Sequence, residues 1–234
     1  MKKLTLSLLT GVAVVGLTSS AFAADLIIRD DFVERGVVHV DDWTGVYIGG
    51  HVGYGWGNVL YTDAEEDDLP DMDDWTIDGW LVGGQIGANV QMDALVFGVV
   101  GDLAWTNITG DSEEAGDNTI TTDINWLGTI RGKLGFAAES LFFYGTAGVA
   151  FAGIDHTLTD AWIDPPDVFT DSATQFGWVA GIGAEVKVAE NVSVFGEALY
   201  HDFGARDVSF DEGDEEANLG VNLTTVKVGV NFHF

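Results

Sequence analysis

The chain has 234 residues, with 38 acidic against 9 basic side chains, a formal net charge of −29, 47% apolar residues and no cysteine. Such a surplus of negative charge opposes binding to nucleic-acid phosphates, and the lack of cysteine excludes disulfide staples, thiol nucleophiles and cysteine-based zinc sites. A chain this acidic and yet apolar on balance must keep its charge and its apolar residues apart.

Met1, Lys2 and Lys3 precede an apolar stretch from Leu4 to Leu17, and Ala21-Phe22-Ala23 has the small-x-small form that signal peptidase cuts. The stretch is too short and wrongly flanked for a membrane anchor. Residues 1–23 are therefore expected to be a cleaved signal peptide, and the mature chain to begin near Ala24. Residues 24–43 mix Leu26, Ile27 and Ile28 with charge and are expected to form a periplasmic tail.

No later stretch approaches the 18 or so apolar residues of a membrane helix, so any crossing falls to strands. Eight segments have one apolar parity and one small, polar or charged parity, the period of two of a two-faced strand. In 44–57, Val46, Ile48, Val52, Tyr54 and Trp56 oppose Tyr47, His51 and glycines; in 75–92, Trp80, Val82, Ile86 and Val90 oppose Gln85, Asn89 and Gln91. In 94–106, Leu95, Phe97, Val99, Leu103 and Trp105 oppose Asp102 and Thr106. The clearest is 120–136, where Ile120, Ile124, Trp126, Ile130, Leu134 and Phe136 oppose Asp123, Asn125, Thr129, Arg131 and Lys133. In 141–153, Leu141, Phe143, Val149 and Phe151 oppose Tyr144 and Thr146; in 174–188, Trp178, Ile182, Val186 and Val188 oppose Gln175, Glu185 and Lys187. In 191–201, Val192, Val194, Ala198 and Tyr200 oppose Ser193, Glu197 and His201, and in the last segment Val226, Val228, Val230, Phe232 and Phe234 oppose Lys227, Asn231 and His233.

Connections alternate in length: short near Met92-Asp93, 137–140 and Ala189-Glu190, long over 58–74, 107–119, 154–173 and 202–220. The long ones carry most of the negative charge, for example Asp63, Glu65, Glu66, Asp67 and Asp68, and Asp211, Glu212, Asp214, Glu215 and Glu216. This predicts an all-β, eight-stranded antiparallel transmembrane β-barrel over residues 44–234, with short periplasmic turns and long acidic extracellular loops. Tryptophans agree: Trp56, Trp80, Trp105, Trp126 and Trp178 fall on the apolar parity at the loop ends, and Phe97, Phe136, Phe143, Phe232 and Phe234 mark the other end. A soluble barrel would put its apolar parity inward and could not readily enclose Arg131, Lys133, Glu185, Lys187 and Glu197.

The stretches Trp43-Thr44-Gly45-Val46-Tyr47-Ile48-Gly49-Gly50, Gly83-Gly84-Gln85-Ile86-Gly87, Trp126 to Gly135, Tyr144 to Gly148, Gly177 to Glu185 and Val226 to Phe234 resemble, in order and spacing, the small outer-membrane surface-antigen barrels of alpha-proteobacteria, related to the OmpA-like transmembrane barrel. The resemblance covers nearly the whole mature chain. It implies an outer-membrane location, contact with outer-membrane lipid and lipopolysaccharide, and recognition of the C-terminal strand by the barrel-assembly machinery. Family members usually carry an inward Glu two residues before the third-strand Asp; Val100 stands there instead, which predicts one interior ion pair fewer.

An eight-stranded barrel is just wide enough for side chains to fill it. Asp102, Asp123, Glu185 and Glu197 are expected to share the interior with Arg131, Lys133, Lys187 and Lys227 and to close it by pairing; a narrow cation-preferring pore is the alternative. The acidic loops suit Ca²⁺ or Mg²⁺ but match no ordered cation motif, so solvated loops are the plainer reading. No cofactor is expected. Lipid A-modifying enzymes also use eight-stranded barrels, but His39 lies in the tail, His156 in a loop without a triad-like serine, and His51, His201 and His233 on scattered inward positions, so no catalytic constellation is read.

Overall fold

A computed structural model describes residues 42–63, 75–112, 118–160, 167–209 and 216–234. Every regular element among them is a strand: β1 (Gly45–Asp63), β2 (Trp75–Met92), β3 (Leu95–Asp111), β4 (Asn118–Ala138), β5 (Leu141–Asp160), β6 (Asp167–Ala189), β7 (Val192–Ser209) and β8 (Glu216–His233). Each strand pairs antiparallel with its chain neighbour and β8 returns to β1, closing the barrel. Closure sets Tyr47 opposite His233, and the Phe234 amide donates to the Val46 carbonyl at 3.0 Å. A closed ladder leaves no edge to face hydrocarbon, the condition for crossing a bilayer with strands. The expected signal peptide, the tail up to residue 41, and the loop tips at 64–74, 113–117, 161–166 and 210–215 lie outside the described residues.

At one end β2–β3, β4–β5 and β6–β7 are joined by two-residue turns. Asp93 and Glu139 take φ of 57° and 53° there, the left-handed conformation that tight hairpin turns demand.

The strands run farther than the alternation predicted. A membrane-crossing strand needs roughly 9–11 residues, whereas these have 17 to 23. Much of what the sequence assigned to loops is strand: β1 extends to Asp63, β5 to Asp160, and β6 starts at Asp167. The reason is a change of solvent along each strand. Outward aromatics form two rings, one of Trp56, Trp80, Trp105, Phe176 and Trp178, and one of Phe97, Phe136, Phe143, Phe232 and Phe234, all strongly exposed on the outer face. Between the rings, Phe97 to Trp105 or Phe136 to Trp126 spans eight to ten residues, roughly 20–25 Å of height for tilted strands, the thickness of an outer-membrane apolar band. Exposed Val52, Val82, Val99, Ile130, Val149, Ile182 and Val228 fill that band.

Beyond the tryptophan ring the pattern inverts. Outward positions become Thr76, Asp78, Asn107, Thr109, Asp111, Asn125, Asp155 and Ser172, none of them buried, while Val59, Ile77, Ile108, Ile124, Ile154, Val221 and Leu223 are buried inside. The strands thus project from the membrane as a water-facing barrel with its own apolar core. In β1, β2, β3, β5 and β8 the inward parity never changes and only its chemistry does. β4 differs: Asn125 is an extra residue relative to β5, and β3 has one extra relative to β4 at Asn107. A bulge shifts the phase by one residue. Below it Arg131 and Lys133 point inward, and above it Thr122 and Ile124 do.

Candidate functional site

The lumen contains three stacked layers. The middle one, at membrane depth, is built from alternate residues of all eight strands that the strand period turns inward. Arg131 on β4 meets Glu197 on β7 in a two-pronged pair at 3.1 Å for each prong. Its Nε donates to the Thr129 hydroxyl at 2.9 Å, and the Tyr144 hydroxyl donates to Glu197 at 2.9 Å. Lys227 on β8 bridges Glu197 at 3.5 Å and Asp102 at 2.9 Å, and His51 Nε2 lies 2.7 Å from the same Asp102 oxygen. Lower down, Lys133 pairs with Glu185 at 3.5 Å and sits 4.0 Å above the Tyr144 ring. Glu185 also accepts from Ser193 at 2.5 Å and Asn231 at 2.7 Å, and Asn231 accepts from Gln85 at 2.8 Å.

These six ionised groups, three carboxylates and three cations, are each less than a tenth exposed. Charge is balanced. Taking such groups out of water is costly, and the pairing offsets that cost only because nearly every oxygen and proton has a second partner. Val100 is buried facing the lumen, and the three cations at membrane depth, Arg131, Lys133 and Lys227, each have a carboxylate partner.

The layer beneath covers the periplasmic mouth. Trp43, expected in the tail, is 1% exposed and packs on Phe142 with ring centroids 5.4 Å apart and on His233 at 5.8 Å. Val96, Ala137 and Tyr144 complete this cluster. Trp43 is held by its amide, which donates to Gln91 Oε1 at 2.8 Å, while the Gln91 amide donates to the Thr44 hydroxyl at 3.1 Å. Hydrogen bonds from Thr44 hold the neighbouring Asp42 carboxyl below its usual range, with help from the Lys187 charge. The layer above the charges is the apolar core of the projecting wall, with Trp75, Leu127, Val179, Leu199 and Phe203 joining the aliphatic residues already named.

Two expected interior residues lie elsewhere. Asp123 is on the outer face above the tryptophan ring, opposite Asp155 of β5, because the Asn125 bulge reverses the phase of upper β4. Lys187 has inward parity but sits at the mouth, where its ammonium donates to the Asp42 carbonyl at 2.5 Å and lies 5.1 Å over the Trp43 ring. Among the described residues it pairs with no interior carboxylate. His156, read as a loop residue, is on β5, fully buried and 3.1 Å from the Thr122 hydroxyl. Of the aromatics expected at the interface, Trp56, Trp80, Trp105, Trp178, Phe232 and Phe234 are exposed outward, and Trp126 is half-covered by Phe151, 6.0 Å away.

Ser193, His233 and Glu185 also converge, with Ser193 Oγ 2.8 Å and Glu185 Oε1 3.3 Å from the same His233 Nε2. A nucleophilic triad needs the carboxylate on the opposite ring nitrogen, so that the free one can accept the serine proton. Here the serine donates to the carboxylate instead.

Apolar residues facing lipid, two aromatic rings and a charge-balanced, filled lumen define a small integral β-barrel of the bacterial outer membrane. Residues 10–234 match the family described as the outer membrane protein beta-barrel domain, and the chain belongs to that family. It is similar to the 31 kDa outer-membrane immunogenic protein of Brucella melitensis, at 32% identity over 236 residues covering 92% of this chain and 94% of the relative. It is also similar to the 22 kDa outer membrane protein of Rhizobium leguminosarum, at 28% identity over 201 residues covering 85% and 82%. The solved structure of the outer membrane protein OprG from Pseudomonas aeruginosa aligns with a TM-score of 0.47 and 14% identity, covering 83% of this chain and 99% of that one. The assignment rests on the sequence relatives.

Proposed function

We propose that the protein is a non-conducting envelope barrel whose work is done at its outer surface: a structural and surface-interaction role rather than transport or catalysis. The observation that carries this reading is the filled lumen, in which paired charges lie between two apolar layers. An ion crossing it would have to part buried pairs and then pass through packed aliphatic side chains. The lipid-facing band is proposed to contact outer-membrane lipid and lipopolysaccharide, and β8, with outward Phe232, to be the element read by the barrel-assembly machinery. The acidic wall and loops are proposed to be solvated and to attract cations loosely.

Refolded protein in planar bilayers should give no sustained conductance. Trp43→Ala, which uncovers only the periplasmic mouth, should stay silent because the upper core is intact. Reproducible cation-selective steps that shrink in Asp102→Asn or Glu197→Gln would replace this reading with that of a narrow porin.

A further inference from the structure

Above the membrane the barrel wall has a seam. β6 and β7 are paired from Ala189 and Val192 up to Trp178 and Asp202, and there their ladder stops. Among the described residues β6 continues to Asp167 along β5 alone, and β7 continues to Ser209 along β8 alone. The cause lies in β7, where Phe203 and Gly204 stand against the single residue Val221 of β8. Gly204 takes φ of 65°, and its amide donates to Asp202 Oδ1 at 2.8 Å. A bulge of this kind bends and twists its strand, and it turns upper β7 away from β6.

Alternate residues of β6 between Val168 and Phe176 therefore direct backbone N–H and C=O groups toward a side with no ladder partner among the described residues. Protected edges usually carry lysine, proline or a bulge. This stretch, Val-Phe-Thr-Asp-Ser-Ala-Thr-Gln-Phe, has none of them, carries a single charge at Asp171 and is rich in β-formers. It stands on the external side of the Trp178 ring, in water. The wall beside it is acidic, with Asp155 on neighbouring β5, Asp202 on neighbouring β7 and Asp123 on β4, none of them buried, and the whole chain carries −29. Such a field repels a second copy and draws in a cationic chain.

We propose that the upper β6 edge takes up an extended, lysine- or arginine-rich segment of an extracellular protein by strand addition. The proposal rests on the surface-interaction reading above and names the place and the chemistry of that contact. Backbone hydrogen bonds supply the fit and the carboxylates the choice of sign.

The test uses the full chain refolded in lipid nanodiscs and a synthetic peptide of alternating lysine and valine, about ten residues long. The peptide is expected to bind and to slow amide hydrogen exchange at alternate positions of 168–176. The same peptide N-methylated on alternate amides keeps its charge but cannot form the ladder, and should bind weaker by about tenfold or more. A glutamate–valine peptide should not bind. Equal binding of the methylated peptide, protection confined to other segments, or no binding at all would each overturn the proposal. So would a concentration-dependent dimer that protects the same amides without peptide, since the edge would then belong to a second copy. Bilayer conductance is read separately, so failure here leaves the non-conducting reading standing, and the converse holds.

Discussion

Between the aromatic rings the barrel is apolar outside and charged inside, while above the tryptophans the same strands are polar outside and apolar inside. The solvent beyond the wall accounts for both halves. Lipid offers a carboxylate nothing, so Glu197 and Asp102 are enclosed and paired; water accepts Asp78 and Asp155, and the hydrophobic effect fills the upper lumen with Ile77, Ile108 and Leu223 instead. One fold therefore obeys opposite rules within a single strand. What changes is the composition of each face, and on β4 also the phase, through the Asn125 bulge.

The comparison is broken most severely in the lower lumen. Arg131→Ala strands Glu197 without its two-pronged partner, and urea unfolding from lipid vesicles should show a loss of about 3–5 kcal/mol; a loss under about 1 kcal/mol would mean that water reaches the pair. Next comes the outer face. Ile182→Arg, within the apolar band, should cost about 2–4 kcal/mol, whereas Asp123→Arg, above the ring, should change stability by about 1 kcal/mol or less. Equal costs at the two sites would remove the boundary drawn at the tryptophans. In the upper half, Ile124→Thr puts a hydroxyl into the packed core and should cost about 1–3 kcal/mol, against about 0.5 kcal/mol or less for the outward Asp155→Thr.

The smallest effect is a pH effect at the mouth. The Asp42 carboxyl is held below its ordinary value of 3.8 by Thr44, so its contribution is complete above that value and is lost as pH falls through the lowered one. Trp43 fluorescence should shift in that acid window and not in Asp42→Asn, which lacks the titration; a shift already complete near neutrality would assign it to another group.

Strand number, order, the lipid-facing parity and most interior charges were legible in the sequence because between the rings one parity is apolar without interruption. The upper wall was not read, although its signal is present: Val59 has the opposite parity to Trp56, Ile77 to Trp80, Ile108 to Trp105, and Ile154 to Phe151. Apolar residues that change parity at the loop end of a strand mark a strand that goes on into water. On β4 even that mark is hidden, because Ile124 and Trp126 share a parity and only the bulge between them sends one inward and the other outward. Asp123 was misplaced for the same reason. Trp43 and Lys187 depend on a chain segment folding back across the mouth, a long-range contact that no local periodicity encodes.

The height of the projecting wall has a consequence for what an outside observer of the cell can touch. From Trp126 to the start of β4 at Asn118, tilted strands rise roughly 20 Å above the hydrocarbon, a distance comparable to a layer of surface sugars. The upper wall is thus a stiff pedestal with its own packed interior. A surface built from neighbouring strands exists only when the barrel is closed, so antibodies against the pedestal should recognise folded protein and not the unfolded chain.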